Sequence, residues 1–136
     1  GCGSGILALT ASKLGFTTIS AIDNDADAIK VSIENSDLNG VTNVIFDRKS
    51  IEKFIPTTKF DLVVANIQFD ILTCYSSELV KLLNKKSYLI LSGILKTENK
   101  AIEKHFKSLF SRKQNVSYQS RNLNDWNLTI IRLDEY

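Results

Sequence analysis

The chain opens with a glycine-rich segment, residues 1–9 (GCGSGILAL), that constrains its fold more than any other feature. Gly1, Gly3 and Gly5 stand at alternate positions directly before an apolar run that predicts a helix. Glycine permits positive φ and lets a ligand approach the backbone without a Cβ in the way. The free N–H groups of a helix N-terminus favour a carboxylate or a phosphate. The segment therefore predicts a cofactor-binding turn between a strand upstream of Gly1 and a helix.

The spacing of these glycines narrows the class of cofactor. A dinucleotide site of the Rossmann fold has the pattern G-x-G-x-x-G. Here the pattern is G-x-G-x-G, with Ile6 in the sixth position. This variant resembles motif I of the class I S-adenosylmethionine (SAM)-dependent methyltransferases, in which the loop packs against the methionine part of SAM. The alternative is an ordinary glycine turn before a helix, because short glycine motifs often match by chance.

An acidic residue follows at the distance that such a site requires. Residues 17–23 (TTISAID) form a β-branched apolar run that predicts a buried strand ending at Asp23. A carboxylate about 20 residues after the loop is placed to accept hydrogen bonds from ribose hydroxyls. Asp25 is predicted to cap the next helix. The two signals fit SAM and nicotinamide cofactors equally well.

Composition excludes several other classes of protein. With 136 residues we expect one domain, 1–136, and a net charge of +2 does not indicate a nucleic-acid partner. No run approaches the roughly 18 apolar residues of a membrane span. Cys2 and Cys74 form no metal-ligand pattern, and Cys74 is predicted to lie in a helix core. His105 stands among lysines, so we expect neither a histidine metal site nor a Ser-His-Asp triad.

Strands and helices alternate along the whole chain, which predicts a mainly parallel sheet with helices on both faces. The predicted strands are 18–23, 43–46, 60–66, 87–93, 115–121 and 126–133, and the predicted helices are 5–14, 25–38, 70–83 and 98–110. Only residues 122–125 separate the last two strands, which permits an antiparallel hairpin but no parallel crossover. The predicted fold is α/β, a Rossmann-like class I methyltransferase sheet ending in an antiparallel hairpin, with the first strand missing.

Two helices carry specific predictions about the core. Helix 25–38 is expected to bury Ala26, Ile29 and Ile33. Helix 70–83 is expected to bury an apolar stripe at helical spacing. The members of that stripe are Ile71, Leu72, Tyr75, Leu79, Leu82 and Leu83.

Further stretches, in order and spacing, make the resemblance more specific. Together they are similar to the catalytic domain of the ribosomal protein L-eleven methyltransferases over essentially the whole chain. The stretches are GCGSGILAL, AIDNDADAI, ENSDLNGV (34–41), FDLVVANI (60–67), LILSGIL (89–95) and DWNLTIIRL (125–133). The resemblance implies SAM-dependent trimethylation of lysine ε-amines and of the N-terminal α-amine of a large-subunit ribosomal protein, in the cytoplasm. It implies no direct contact with nucleic acid and no membrane partner.

The resemblance also assigns site residues. By position, Gly1, Gly3 and Gly5 form the SAM loop, and Asp23 holds the ribose. Asn66 lies at the end of the fourth strand beside the reacting methyl, as both a cofactor-binding and a catalytic residue. Asp47 falls where class I enzymes often place an acidic residue near the adenine amine. No metal is implied.

The segment after Asn66 departs from the family pattern. It reads Asn66-Ile67-Gln68-Phe69, whereas N-I-L-A is typical of the family and N-P-P-Y of adenine and glutamine methyltransferases. We expect Asn66 to orient the amine through its side-chain carbonyl, and Phe69 to wall the pocket.

Three alternatives stay open at this point. The first is a class I methyltransferase with a small-molecule or nucleic-acid substrate. The second is a nicotinamide-dependent oxidoreductase domain. The third is an inactive remnant, because the family's substrate-recognition domain and a central strand of its sheet are not expected in this chain.

Overall fold

The computed structural model describes residues 1–111 and 114–134. The chain divides into two compact units, Gly1–Phe54 and Ile55–Tyr136, called here the first and the second unit. Each unit has its own strands and helices and is described by itself.

The first unit is a parallel strand pair with two helices. Its elements are α1 (Ile6–Lys13), β1 (Ile19–Asp23), α2 (Ala26–Leu38), β2 (Val44–Arg48) and a 3-10 turn (Ile51–Lys53). The strands pair in parallel from Ile19 opposite Val44 to Asp23 opposite Arg48. Asp25 caps α2 as predicted, because its side chain accepts a 2.9 Å hydrogen bond from the Asp27 N–H.

The buried side of α2 differs from the prediction. Its buried residues are Ser32 and Ser36, whereas Ile33 is 44% exposed. The hydroxyls of both serines are satisfied locally, by Ile29 O and Val41 O at 2.8 Å each. Small, internally bonded side chains can be buried without cost from unpaired polar atoms. They also let the helix backbone approach its neighbours more closely than isoleucine would.

The second unit is a four-stranded sheet with helices. Its elements are β3 (Phe60–Asn66), α3 (Phe69–Cys74), α4 (Ser76–Lys81), β4 (Leu83–Leu95), a 3-10 turn (Lys96–Glu98), α5 (Asn99–Lys107), β5 (Asn115–Leu123) and β6 (Trp126–Asp134). The strand order is β3-β4-β6-β5. β3 and β4 are parallel, and the other pairs are antiparallel. The predicted C-terminal hairpin is therefore confirmed.

The prediction of one continuous helix over residues 70–83 is wrong. Two short helices, α3 and α4, meet at Tyr75, and Leu83 already belongs to β4, opposite Phe60. The Thr73 hydroxyl lies 3.1 Å from Phe69 O, and the Ser76 hydroxyl lies 2.9 Å from Thr73 O. Such bonds from hydroxyl to helix backbone compete with the regular ladder and bend helices.

The break at Tyr75 changes which side chains are buried. Leu72, Ser76 and Leu79 are buried, whereas Ile71 is 43% exposed and Cys74 is exposed. The predicted core positions of Ile71 and Cys74 are therefore wrong. The remaining core of the unit lies between α5 and the sheet, where six side chains are fully buried. These are Leu89, Leu91, Ile94, Ile102, Phe106 and Ile131.

Candidate functional site

In the first unit, the glycine loop is a tight turn that leads directly into α1. The nitrogens of Gly1 and Cys2 both lie 2.9 Å from Ile22 O, and the Gly5 N–H donates to Cys2 O at 2.9 Å. These bonds hold the loop against the C-terminal end of β1. The loop thus lies where an α/β sheet binds ligands, at the carboxyl ends of its strands.

Asp23 holds the loop through its carboxylate. The side chain is buried, and its Oδ2 accepts a 2.9 Å hydrogen bond from the Gly3 N–H. Oδ1 accepts a second bond of 3.1 Å from the Asp25 N–H. Burial acts to raise the pKa of Asp23, but the backbone hydrogen bonds, together with the positive Gly1 amine 3.7 Å from Oδ2, outweigh it and hold the pKa below its usual value. The group is therefore a carboxylate at neutral pH. A carboxylate has about four acceptor positions, so further donors can still bind.

Gly5 packs closely against α2 and β2. It precedes α1 with φ +81°, and a Cβ built there would lie 2.9 Å from Ser32 Cβ and 3.3 Å from Phe46 Cε1. The close approach of loop, α2 and β2 therefore requires glycine here.

Replacing Gly5 with alanine is expected to destabilise the protein by about 1–3 kcal/mol more than the matched variant Gly40→Ala. Both glycines have positive φ, +81° and +61°, so both substitutions strain the backbone. A Cβ on Gly40 meets no atom of the described residues within 4 Å, so only Gly5→Ala adds overpacking. Urea unfolding of the two variants measures the difference. Equal losses of unfolding free energy in Gly5→Ala and Gly40→Ala would contradict the tight contact of Gly5 with Ser32.

The space beside Gly3 is open. A Cβ built on Gly3 would meet no atom of the described residues within 4 Å. Its N–H is engaged by Asp23, but the side on which a side chain would stand is free. Gly3 is exposed, so its backbone is open to solvent beside the buried Asp23 carboxylate.

Asp47 lies inside β2 and not in the turn after it, because the strand runs two residues further than predicted and ends at Arg48. Asp47 is opposite Ile22, one residue before the end of β1. Its side chain is partly exposed, and Oδ2 lies 2.7 Å from Lys49 Nζ. The carboxylate thus carries one ion pair and has acceptor capacity left.

Asn66 is the last residue of β3, in the second unit. The bounds of β3 match those of the predicted strand 60–66. It is exposed and stands opposite Ser92 of β4. The next peptide is fixed too, because the Ile67 N–H donates to Ser92 O at 3.2 Å. β3 and β4 are parallel, so the Asn66 carboxamide lies at the carboxyl-terminal edge of this strand pair. Phe69 follows as the first residue of α3 and is partly buried.

A serine–histidine pair was not predicted. The oxygen of buried Ser76 lies 2.8 Å from His105 Nε2, joining residues that are 29 positions apart, and no local sequence pattern signals such a contact. The Ser76 oxygen also lies 2.9 Å from Thr73 O. Which of the two groups, Ser76 or His105, donates in the pair depends on the tautomer of His105. The contact ties α4 to α5.

Two kinds of feature are absent from the described residues. In residues 1–111 and 114–134, no group of three or more His, Cys, Asp or Glu side chains could hold a metal ion. Over the same ranges, no helix has the length and apolar character needed to cross a membrane.

Comparison with solved structures defines the class of fold. The chain superposes with a TM-score of 0.75 on a Streptococcus mutans structure determined in complex with S-adenosylhomocysteine (SAH), over 98% of this chain and 85% of the other, at 14% identity. A ribosomal protein L11 methylase from Lactobacillus delbrueckii subsp. bulgaricus gives a TM-score of 0.88 at 29% identity, over 99% of this chain and 67% of that one. The fold is the Rossmann-like fold of class I methyltransferases.

The family follows from the sequence. The profile of the family described as ribosomal protein L11 methyltransferase (PrmA) matches residues 1–132, and the chain belongs to this family. The ribosomal protein L11 methyltransferase of Syntrophomonas wolfei is 37% identical over 109 residues, which are 79% of this chain and 36% of that relative. The chain thus spans about a third of the length of such relatives.

Proposed function

We propose that this chain is the SAM-binding catalytic part of a cytoplasmic protein methyltransferase. Its proposed substrates are lysine ε-amines and the N-terminal α-amine of a large-subunit ribosomal protein. The observation that carries the proposal is the glycine loop held by the buried Asp23 carboxylate, in a member of the PrmA family. Relatives named ribosomal protein L11 methyltransferase support the substrate class, and the SAH complex of the Streptococcus mutans protein supports the cofactor.

The chemistry of the residues in the first unit supports SAM as the cofactor. When bound, SAM supplies a methyl group that its sulfonium already activates. The exposed backbone at Gly3 is proposed to pack against the methionine part, and Asp23 is proposed to accept hydrogen bonds from the ribose hydroxyls through its remaining lone pairs. Asp47 is the acceptor proposed for the adenine amine. The nicotinamide alternative is not favoured, because the G-x-G-x-G spacing and the family match both oppose it.

The acceptor amine must lose its proton before it can react. With a lysine pKa near 10.4, about one amine in a thousand is neutral near pH 7.4, a cost of roughly 4 kcal/mol. A dry pocket lowers this pKa, because burial disfavours the cation. We assign Asn66 to this step: its carbonyl oxygen accepts a hydrogen bond from an amine N–H and so aligns the nitrogen lone pair. A neutral carboxamide can do this without stabilising the ammonium form as a carboxylate would. Phe69 is proposed to exclude water from the same pocket.

The proposed function is tested by methyl transfer from labelled SAM with the intact protein as enzyme. Purified large-subunit ribosomal proteins, free ribosomal RNA and amino acids are offered separately as acceptors, and mass spectrometry locates the added methyl groups. The proposal expects label on lysine and N-terminal amines of one ribosomal protein. Label on RNA or on a small molecule alone would contradict the substrate class. Tight binding of NAD with no binding of SAH would contradict the cofactor.

Substitution of the serine–histidine pair is expected to leave methyl transfer unchanged. His105→Ala removes the hydrogen bond to Ser76, for which we expect a loss of about 1 kcal/mol in unfolding free energy. Thermal melting and the methyl-transfer assay measure the two effects separately. A large loss of kcat in a variant that melts normally would show that the pair takes part in the reaction.

A further inference from the structure

Gly93 lies in an irregularity of β4 next to Asn66. The pairing of β4 with β6 shifts register between Leu91 and Ile94, so Ser92 and Gly93 form a bulge. Gly93 has φ +78°, in the left-handed region that favours glycine. On its other side, β4 keeps its parallel pairing with β3 up to Ser92 opposite Asn66. The bulge thus begins at the residue that faces Asn66.

The space beside Gly93 is filled by the proposed catalytic asparagine. A Cβ built on Gly93 would lie 2.7 Å from Asn66 Oδ1, the oxygen assigned to the amine. It would also lie 2.9 Å from Ile67 O and 3.1 Å from Ile67 N. The Ile67 backbone cannot readily retreat, because its N–H is bonded to Ser92 O. A Cβ at this position therefore displaces the Asn66 carboxamide, and it also presses on the Ile67 backbone.

From this contact we infer that Gly93 is a positioning residue for Asn66. The inference rests on the proposed role of Asn66 and goes one step beyond it. By lacking a side chain, Gly93 lets the Asn66 oxygen rest against the bulge of β4 in a fixed position. Any side chain at position 93 displaces that oxygen. Gly93 touches neither amine nor cofactor in this scheme and acts only through Asn66.

Gly93→Ala in the intact protein is expected to lower kcat for amine methylation by about 10–100-fold. A misplacement of a reacting group by about 1 Å can cost 10²-fold in rate. The affinity for SAH is expected to fall by a much smaller factor than kcat, because the new Cβ meets only Asn66 among the proposed cofactor-binding residues. Rates from labelled SAM and calorimetric titration of SAH give the two quantities.

Gly40→Ala is the matched control. It has the same kind of backbone strain, with φ +61°, but its Cβ meets no described atom within 4 Å. We expect it to keep the full kcat. If Gly40→Ala and Gly93→Ala lose activity equally, the loss follows from general destabilisation, and the inference is overturned.

A double-mutant cycle separates positioning from a purely structural role. In the Asn66→Ala variant the oxygen at 2.7 Å is gone, whereas the contacts with the Ile67 backbone remain, so Gly93→Ala should lower the remaining rate by a clearly smaller factor than it lowers the rate of the unchanged protein. A structural role predicts the same fold loss in both backgrounds, and that result would overturn the inference. If Asn66→Ala itself keeps full activity, the proposed role of Asn66 fails first, and the two failures are thereby distinguished.

A second variant keeps the test decisive if Gly93→Ala does not fold. Asparagine tolerates positive φ better than alanine, yet its Cβ occupies the same space beside Asn66. Gly93→Asn with normal SAH binding and reduced kcat supports the inference. Gly93→Asn with normal SAH binding and full kcat contradicts it.

Discussion

Asn66→Ala is expected to lower kcat for amine methylation by about 10²–10³-fold and to weaken SAH binding by a much smaller factor, because the glycine loop and Asp23 are proposed to carry most of the cofactor contacts. A fall in kcat of this size is typical when one preorganised hydrogen-bonding group is removed from a reaction centre. Asn66 is exposed at the end of β3, so its truncation creates no cavity and should leave the unfolding free energy nearly unchanged. Steady-state rates with labelled SAM and a calorimetric titration of SAH give the two values.

Two further variants define what Asn66 does. Asn66→Asp keeps an oxygen acceptor but adds a negative charge, which stabilises the protonated amine and raises its pKa. Its rate should therefore be low at neutral pH and recover towards alkaline pH, unlike that of Asn66→Ala. Asn115→Ala removes another exposed asparagine from a strand end and should leave kcat unchanged. Full activity of Asn66→Ala would contradict the assignment.

Features set by neighbouring residues were predictable from the sequence. β3 was predicted with its exact bounds, because an apolar run between polar residues has no competing structure. The hairpin of β5 and β6 followed from the short polar connection, and the cap at Asp25 from an acidic residue before a helical pattern. The loop and Asp23 were predictable as a pair because their spacing is constrained by the fold.

Features set by distant contacts were not predictable. The end of the helical stripe near Leu83 depends on the pairing of that residue with Phe60 in β3. The buried serines of α2 have no apolar signal, yet Ser32 is what Gly5 packs against. Gly93 is visible in the sequence as a glycine, but only the structure shows that the space it leaves is taken by Asn66.

Asp23→Asn is expected to lower the affinity for SAH by about 10²-fold or more. The Asp23 carboxylate accepts the N–H groups of Gly3 and Asp25, and an amide would turn its NH₂ group towards one of these donors. An unpaired buried donor costs about 1–3 kcal/mol, before the loss of the proposed ribose contact is counted. The loop would therefore be less ordered and its cofactor contact weaker. Calorimetric titration of SAH measures the combined effect.

Asp25→Asn is the matched control for this substitution. Asp25 precedes α2 and accepts only the Asp27 N–H through its side chain, a role that asparagine fills equally well. Its affinity for SAH should stay within about twofold of the unchanged protein. A loss of affinity in Asp25→Asn equal to that in Asp23→Asn would mean that general negative charge near the loop, and not the Asp23 hydrogen bonds, governs binding.

The pH dependence of stability gives an independent test of the Asp23 carboxylate. Its pKa is lowered in the folded protein from an ordinary value of 3.8, so its ionised form is favoured by folding. The stabilisation is fully present above pH 3.8 and is lost as the pH falls through the lower, folded pKa. The difference in unfolding free energy between the unchanged protein and Asp23→Asn should therefore be constant at neutral pH and shrink only in acid. A difference that keeps its full size well below pH 3.8 would contradict the assignment, because protonation of this carboxyl should abolish its contribution there.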